Sequence, residues 1–392
     1  MGGLAYNRLI ISWGRPTSCR IVSAMSVPSA TSLNSEPIVW ADPVREAAFR
    51  AWLIGLAPRH GLVVDSVRSA SADASFRRYF RVDVGAGTGG ASLIIMDAPP
   101  QHENCRPFVD MARALHAGGV RVPEVLAWDE AQGFMLLTDL GHTTFLSTLD
   151  VDQPLLPSNA ARYRAALDEL ITLQRVATPA GLPPYDDALL QRELDLFPQW
   201  YLTQLRGLTL SEDQQKMLAN TFALIKSQVL SQPVVLVHRD YHSRNLMVDP
   251  ADPAARPGVL DFQDAVAGPV SYDLVSLLRD AYVLWEEDVQ IDYAVRYWQQ
   301  ARKAGLPVDA DFGAFWRDVE WMGLQRHLKV LGIFARLAIR DGKRGYLNDI
   351  PRVWTYAHKV CARYQGLGPL LRLLEQAEAG NGGIQTQVGY TF

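Results

Sequence analysis

The sequence predicts an α+β chain with a small antiparallel sheet in its first third and a mainly helical remainder. Three observations carry this expectation. Short apolar runs separated by turn-forming segments occupy residues 62–137, the pattern of strands and hairpins. From about Leu140 onward the apolar residues recur at helical spacing. Within that helical part a single β island, residues 233–262, lies between turns rich in Asp and Pro.

Taken in order, Asp42-Pro43 offers an N-cap followed by proline at the first helical position. Val44, Phe49, Trp52, Leu53 and Leu56 then run at helical spacing to Pro58. Residues 62–68, 77–84 and 91–96 read as strands, the last two joined by the Gly85–Gly90 turn. Pro107 opens a helix with Phe108, Met111, Ala112 and Leu115 on one face, and Gly118-Gly119 ends it. Residues 122–128 and 134–137 return as strands. Helices are expected at 160–176, 190–205 and 211–230, the last opened by the capping-box spacing Ser211-x-x-Gln214. The island contributes strands at 233–237, 245–248 and 258–262. Residues 272–285, 289–304, 311–340 and 351–377 are expected as further helices, with no internal repeat.

At 392 residues, 48% hydrophobic and 20% charged, the chain has globular composition and room for more than one domain. Lys and Arg total 38 against 42 Asp and Glu, a net charge of -4, so no global positive field exists to collect nucleic acid or an anionic membrane. Cys19, Cys105 and Cys361 are too scattered for a disulfide framework or thiolate zinc site, and a reducing, cytoplasmic setting is expected. No apolar run is long enough for a spanning helix. Residues 1–35, basic and Ser-rich, are expected to be a disordered extension, or to reflect a start codon upstream of Met25.

Residues 238–245 read His-Arg-Asp-Tyr-His-Ser-Arg-Asn, an H-x-D with Asn five positions after the Asp, and Asp261 follows sixteen residues after Asn245. A loop leaving one strand would aim Asp240 at an incoming hydroxyl. Asn245 would begin the next strand, and Asp261 would arrive from its hairpin partner. Phosphoryl transfer needs mainly positioning and charge neutralisation by Mg²⁺, which takes carboxylate, amide and water oxygens. Asn245 and Asp261 suit the metal, Asp240 suits a general base, and His238 suits a loop brace.

With these motifs the sequence resembles the aminoglycoside phosphotransferase and choline kinase superfamily, over most of the chain from about residue 45. The resemblance implies a bilobal protein-kinase-like fold with an N-lobe at 36–139 and a helical C-lobe at 140–392, and ATP or GTP with Mg²⁺ as cofactors. It further implies a hinge near Leu137 to Leu140, with Leu137 and Asp139 against the nucleotide. Asp273, in Gly268-Pro-Val-Ser-Tyr-Asp273, matches the family aspartate that supports the catalytic loop; read locally it is equally a helix N-terminal acid. Ser75-Phe-Arg-Arg-Tyr-Phe-Arg81, Met96-Asp-Ala-Pro-Pro100, Asn104-Cys-Arg-Pro-Phe108, Gln132–Gly141 and Leu324–Arg336 together look like the bacterial anomeric kinases of N-acetylmuramate and N-acetylglucosamine in peptidoglycan recycling. That resemblance implies a small-molecule amino sugar and a nucleotide as partners, with no obligate protein partner.

One departure is the absence of a lysine on the third strand, Leu93-Ile-Ile-Met96-Asp97, where kinases hold the α- and β-phosphates. Arg77 and Arg78 are the candidate replacements, the alternative being solvated strand arginines. For the lactyl carboxylate of N-acetylmuramate, Arg326, His327 and Lys329 form a candidate cationic helix face, unless they pair with neighbouring acids. Glu193 and Trp200 are candidates for cradling the sugar ring, or for core. Two alternatives stay open: an aminoglycoside or other hydroxylated acceptor, and a catalytically inactive nucleotide-binding module.

Overall fold

A computed structural model describes residues 38–40, 42–72, 77–85 and 91–379. The expected extension at 1–35 and most of the Gly85–Gly90 turn lie outside the described residues.

Helix α1 (Pro43–His60) begins as expected, with the Asp42 carboxylate accepting from the Val44 backbone N–H at 2.9 Å. Strands β1 (Leu62–Ala72), β2 (Arg78–Val84), β3 (Ser92–Asp97), β4 (Val125–Asp129) and β5 (Phe134–Thr138) form one antiparallel sheet in the order β1-β2-β3-β5-β4. Alternation along the strands sorts its two faces. Phe80, Val82, Ile95, Phe134 and Leu136 bury against Phe49 and Leu53 of α1, each such side chain contributing roughly 1.5–3 kcal/mol. Met96, Met135 and Leu137 join Phe108, Met111 and Leu115 of α2 (Arg106–Ala117) on the other face. That second core continues without interruption into the helices of the C-terminal part.

There α3 (Pro157–Gln174), α4 (Asp187–Leu196), α5 (Glu212–Leu230), α6 (Tyr272–Leu278), α7 (Glu287–Lys303), α8 (Phe312–Ile339), α9 (Ile350–Arg363) and α10 (Gly368–Ala379) surround the β island. The capping box expected at Ser211 and Gln214 is formed in both directions, at 3.2 and 3.0 Å. Three boundaries differ from the sequence expectation. The helix expected at 190–205 changes at Pro198 into a wider π-helical stretch, Phe197–Leu205, since proline withholds a backbone donor. The helix expected at 351–377 is broken by Gln365–Leu367 ahead of Gly368-Pro369. The helix expected at 272–285 stops at Leu278, and Asp280 instead turns its carboxylate onto neighbouring backbone.

In the island, β7 (Leu246–Met247) and β8 (Gly258–Val259) form the expected hairpin. Strand β6 (Val234–Val237) pairs with β9 (Val266–Pro269), an element the sequence reading missed because Gly268-Pro269 reads as a turn.

Candidate active site

The loop between β6 and β7 carries the H-x-D segment. Arg239 adopts φ +76° and Asp261 φ +66°, left-handed conformations that a non-glycine residue holds only when its surroundings impose them. At Arg239 the constraint is Asp273 on α6, whose carboxylate accepts from the backbone N–H groups of His238 at 2.7 Å and Arg239 at 3.0 Å. Asp273 is fully buried, and burial pushes its carboxyl up to about 6 against the pull of His238 and the two backbone donors. Asp273 thus ties α6 to the loop through two backbone hydrogen bonds.

His238 is hydrogen-bonded through both ring nitrogens. Its Nδ1 accepts from the Asp240 backbone N–H at 3.1 Å, which leaves Nε2 as the donor to the Leu260 carbonyl at 2.9 Å. Asn245 Nδ2 donates to the Asp240 carbonyl at 3.0 Å and approaches Asp261 Oδ2 at 3.4 Å, while Gln263 Nε2 donates to Asp261 Oδ1 at 2.7 Å. Asn245 therefore bridges the Asp240 backbone and the Asp261 carboxylate, bringing the three residues together. Among the described residues Asn245 Oδ1 receives no hydrogen bond, and Asp261 is exposed. One exposed carboxylate and one amide oxygen match the few protein ligands Mg²⁺ takes when phosphates and waters complete its shell.

Burial alone would push the Asp240 carboxyl up, but Lys329, His242, Arg326 and His238 outweigh it and hold the group below the usual carboxylate range. Lys329 is buried, donating to Glu193 Oε1 at 2.7 Å and to the Tyr272 hydroxyl at 3.0 Å. Glu193 also accepts from Arg239 at 2.6 Å, from Gln325 at 3.1 Å and from Tyr185 at 2.5 Å. Burial would raise the Glu193 carboxyl; Lys329 and Arg239 overcome that and bring it down to about 2. Glu193 and Lys329, both expected at the sugar, are thus committed to each other beneath the loop. His327 stacks on Tyr356, and burial pushes its imidazole down to about 3, so it offers no cation. Arg326 is different: buried against the Tyr272 ring, 5.9 Å from its centroid, it has no hydrogen-bonded acceptor among the described residues. Trp200 packs against the main core, the alternative the sequence left open.

On the sheet, Arg78 is not placed to hold phosphates. It lies on the α1 face, 4.1 Å over the Trp40 ring, and shares the buried Asp97 carboxylate with Arg45. Arg77 approaches Glu103 at 3.4 Å. The Leu137 side chain is core, and the Asp139 carboxylate takes Arg81 at 2.5 and 3.1 Å and Ser92 at 2.6 Å. Burial opposes ionisation of Asp139, but these donors keep its carboxyl below the usual range. Arg81 is register-paired with Ile94, opposite the α1 face, and its contact with Asp139 ties β2 to the segment linking sheet and helices.

Sequence reasoning missed Arg81, Arg239, Tyr185 and Asp280. Strand alternation placed Arg81 opposite the buried Phe80 and Val82, and Arg279-Asp280 interrupts an apolar helix; both were available signals. Asp280 accepts from Ser243 N–H at 3.0 Å and from its hydroxyl at 2.5 Å, fixing the far end of the catalytic loop.

Residues 66–312 match the model of a phosphotransferase enzyme family. The chain belongs to that family. It is 46% identical over 343 residues to the N-acetylmuramate/N-acetylglucosamine kinase of Pseudomonas putida, covering 87% of this chain and 96% of that one. It is 42% identical over 348 residues to the same kinase of Neisseria meningitidis, covering 89% and 99%. Among solved structures it is similar to an ethanolamine kinase of Plasmodium vivax (TM-score 0.55, 12% identity, 86% of this chain and 92% of that one). It is also similar to the choline kinase LicA of Streptococcus pneumoniae (TM-score 0.52, 12% identity, 81% and 100%). These structural likenesses show the protein-kinase-like fold that the sequence reading expected.

Proposed function

We propose that this phosphotransferase moves the γ-phosphoryl group of ATP to the anomeric hydroxyl of N-acetylmuramate and N-acetylglucosamine, giving the sugar α-1-phosphate and ADP in peptidoglycan recycling. The juxtaposition of Asp240, Asn245 and Asp261, with Asn245 bridging the other two, carries the phosphoryl-transfer reading. The acceptor follows from likeness to kinases named for these two sugars.

In this reading Asp240 accepts a hydrogen bond from the anomeric hydroxyl and takes its proton as the O–P bond forms and the bond to the β-phosphate oxygen breaks. Lys329 and Arg326 keep Asp240 ionised for that task. Asn245 and Asp261 would hold Mg²⁺, which neutralises phosphate charge when bound. Arg326 borders the reacting oxygens as an acceptor-binding residue, while Glu193 and Lys329 act as positioning residues through Arg239 and Asp240. The nucleotide base lies against the Leu137–Leu140 connector, and Arg77 remains a candidate for its phosphates. ATP and free amino sugars place this chemistry in the cytoplasm; among the described residues no helix is long and apolar enough to cross a membrane. A polycationic aminoglycoside is disfavoured by the cations around Asp240.

The test is ADP release by the purified protein with ATP, Mg²⁺ and each sugar or an aminoglycoside, against an Asp240→Asn control. Release above the control with the two sugars supports the reading. Release only with the aminoglycoside replaces the acceptor, and none with any acceptor points to an inactive binding module.

A further inference from the structure

N-Acetylmuramate differs from N-acetylglucosamine by a lactyl carboxylate, and an anion entering beside Asp240 and a nucleotide needs a compensating cation. The cationic helix face on α8 does not supply it freely, because Lys329 is held by Glu193 and His327 is uncharged. Arg326 is among the charges acting on Asp240, a charge that either sugar would meet.

The catalytic loop itself holds another cation. Arg244, between Ser243 and Asn245, is exposed, and its guanidinium carbon lies 3.6 Å from the centroid of the Tyr282 ring. Among the described residues no acceptor is hydrogen-bonded to that guanidinium. Its setting is rigid. Asp280, nearly fully buried, accepts from Ser243 through one oxygen and from the Tyr282 N–H at 3.1 Å through the other. One carboxylate thus fixes the residue before Arg244 and the residue whose ring supports it. The Tyr282 ring is edge-on to His242 at 5.6 Å and leads through Phe334 at 6.4 Å to Tyr346, 5.1 Å further on. Among the described residues the buried His242 Nδ1 has no hydrogen-bond partner, and His242 acts electrostatically on Asp240.

We propose that Arg244, stacked on Tyr282, is the specificity residue that takes the carboxylate of an acidic amino sugar while Asp240 faces its anomeric hydroxyl. The proposal rests on the kinase reading above and deepens it. Stacking leaves the N–H edge of the guanidinium open, and that planar fork matches a carboxylate. Holding the group against a ring also reduces the rotamer freedom lost on binding. Tyr282 and Tyr346, both half-buried, offer apolar surface of the kind that covers a sugar face.

The experiment is steady-state kinetics of the full chain and Arg244→Gln with N-acetylmuramate, its methyl ester and N-acetylglucosamine. The expected result is a fall of at least about tenfold in the ratio of kcat/KM for N-acetylmuramate over N-acetylglucosamine, the size of one lost charge-assisted contact. The preference of the wild-type protein for the acid over its ester should shrink in the variant, and Arg244→Lys should recover part of the ratio. An unchanged ratio, or an equal preference for acid over ester in both proteins, would overturn the proposal. A wild-type protein inert on both sugars would instead overturn the kinase reading and this assignment with it.

Discussion

Lys329 donates to Glu193 at 2.7 Å beneath the catalytic loop, and its ammonium heads the charges that keep Asp240 ionised. Two helices far apart in sequence thereby set the protonation state of a loop carboxylate. Lys329→Met should therefore raise the Asp240 pKa and move the acid limb of the kcat/KM profile to higher pH. An acid limb that stays in place would show that Lys329 only supports packing.

The same pair governs stability in acid. The Glu193 carboxyl is held at about 2 against an ordinary 4.5, so its contribution is fully present above about pH 4.5. It is lost as pH falls from there through the folded value of about 2. Glu193→Gln leaves Lys329 and Arg239 without their counter-charge, a loss of about 3–5 kcal/mol near neutrality. The variant should also lose less of its remaining stability than the wild type between pH 4.5 and 2. Urea unfolding at several pH values measures both effects.

Much of the candidate site's geometry was legible because its residues lie close together along the chain. The spacing of His238, Asp240, Asn245 and Asp261 survives in the geometry because one loop and one hairpin carry all four. The Glu193 network was not legible: its members lie 46 and 136 residues apart, and a charged residue on an apolar helix does not announce its partner. Arg78 misled for the related reason that its strand face depends on pleat and register. Helix starts with caps, at Asp42 and Ser211, were read well. Strand β9 was hidden by its Gly-Pro, and the break before α10 by apolar periodicity on both sides.

Asp261→Asn should abolish turnover while leaving the fold intact. Asparagine tolerates the left-handed backbone at φ +66°, so the change removes charge rather than conformation. Retained turnover together with native thermal unfolding would remove Asp261 from the metal site.

Gly332 on α8 tests the packing beneath the site. A Cβ there would lie 2.4 Å from the carbonyl of Leu196 at the end of α4, backbone that cannot move aside. Gly332→Ala should cost at least about 1–3 kcal/mol, read from the urea midpoint, while Gly345→Ala, in open space, should leave it nearly unchanged.

The central claim is transfer to the anomeric oxygen, and the most direct measurement is phosphorus NMR of the product formed from ATP, Mg²⁺ and N-acetylmuramate. A phosphate resonance coupled to the anomeric proton, absent with Asp240→Asn, is the predicted result. A phosphate coupled to any other sugar proton, or a product formed equally well without Asp240, would contradict it.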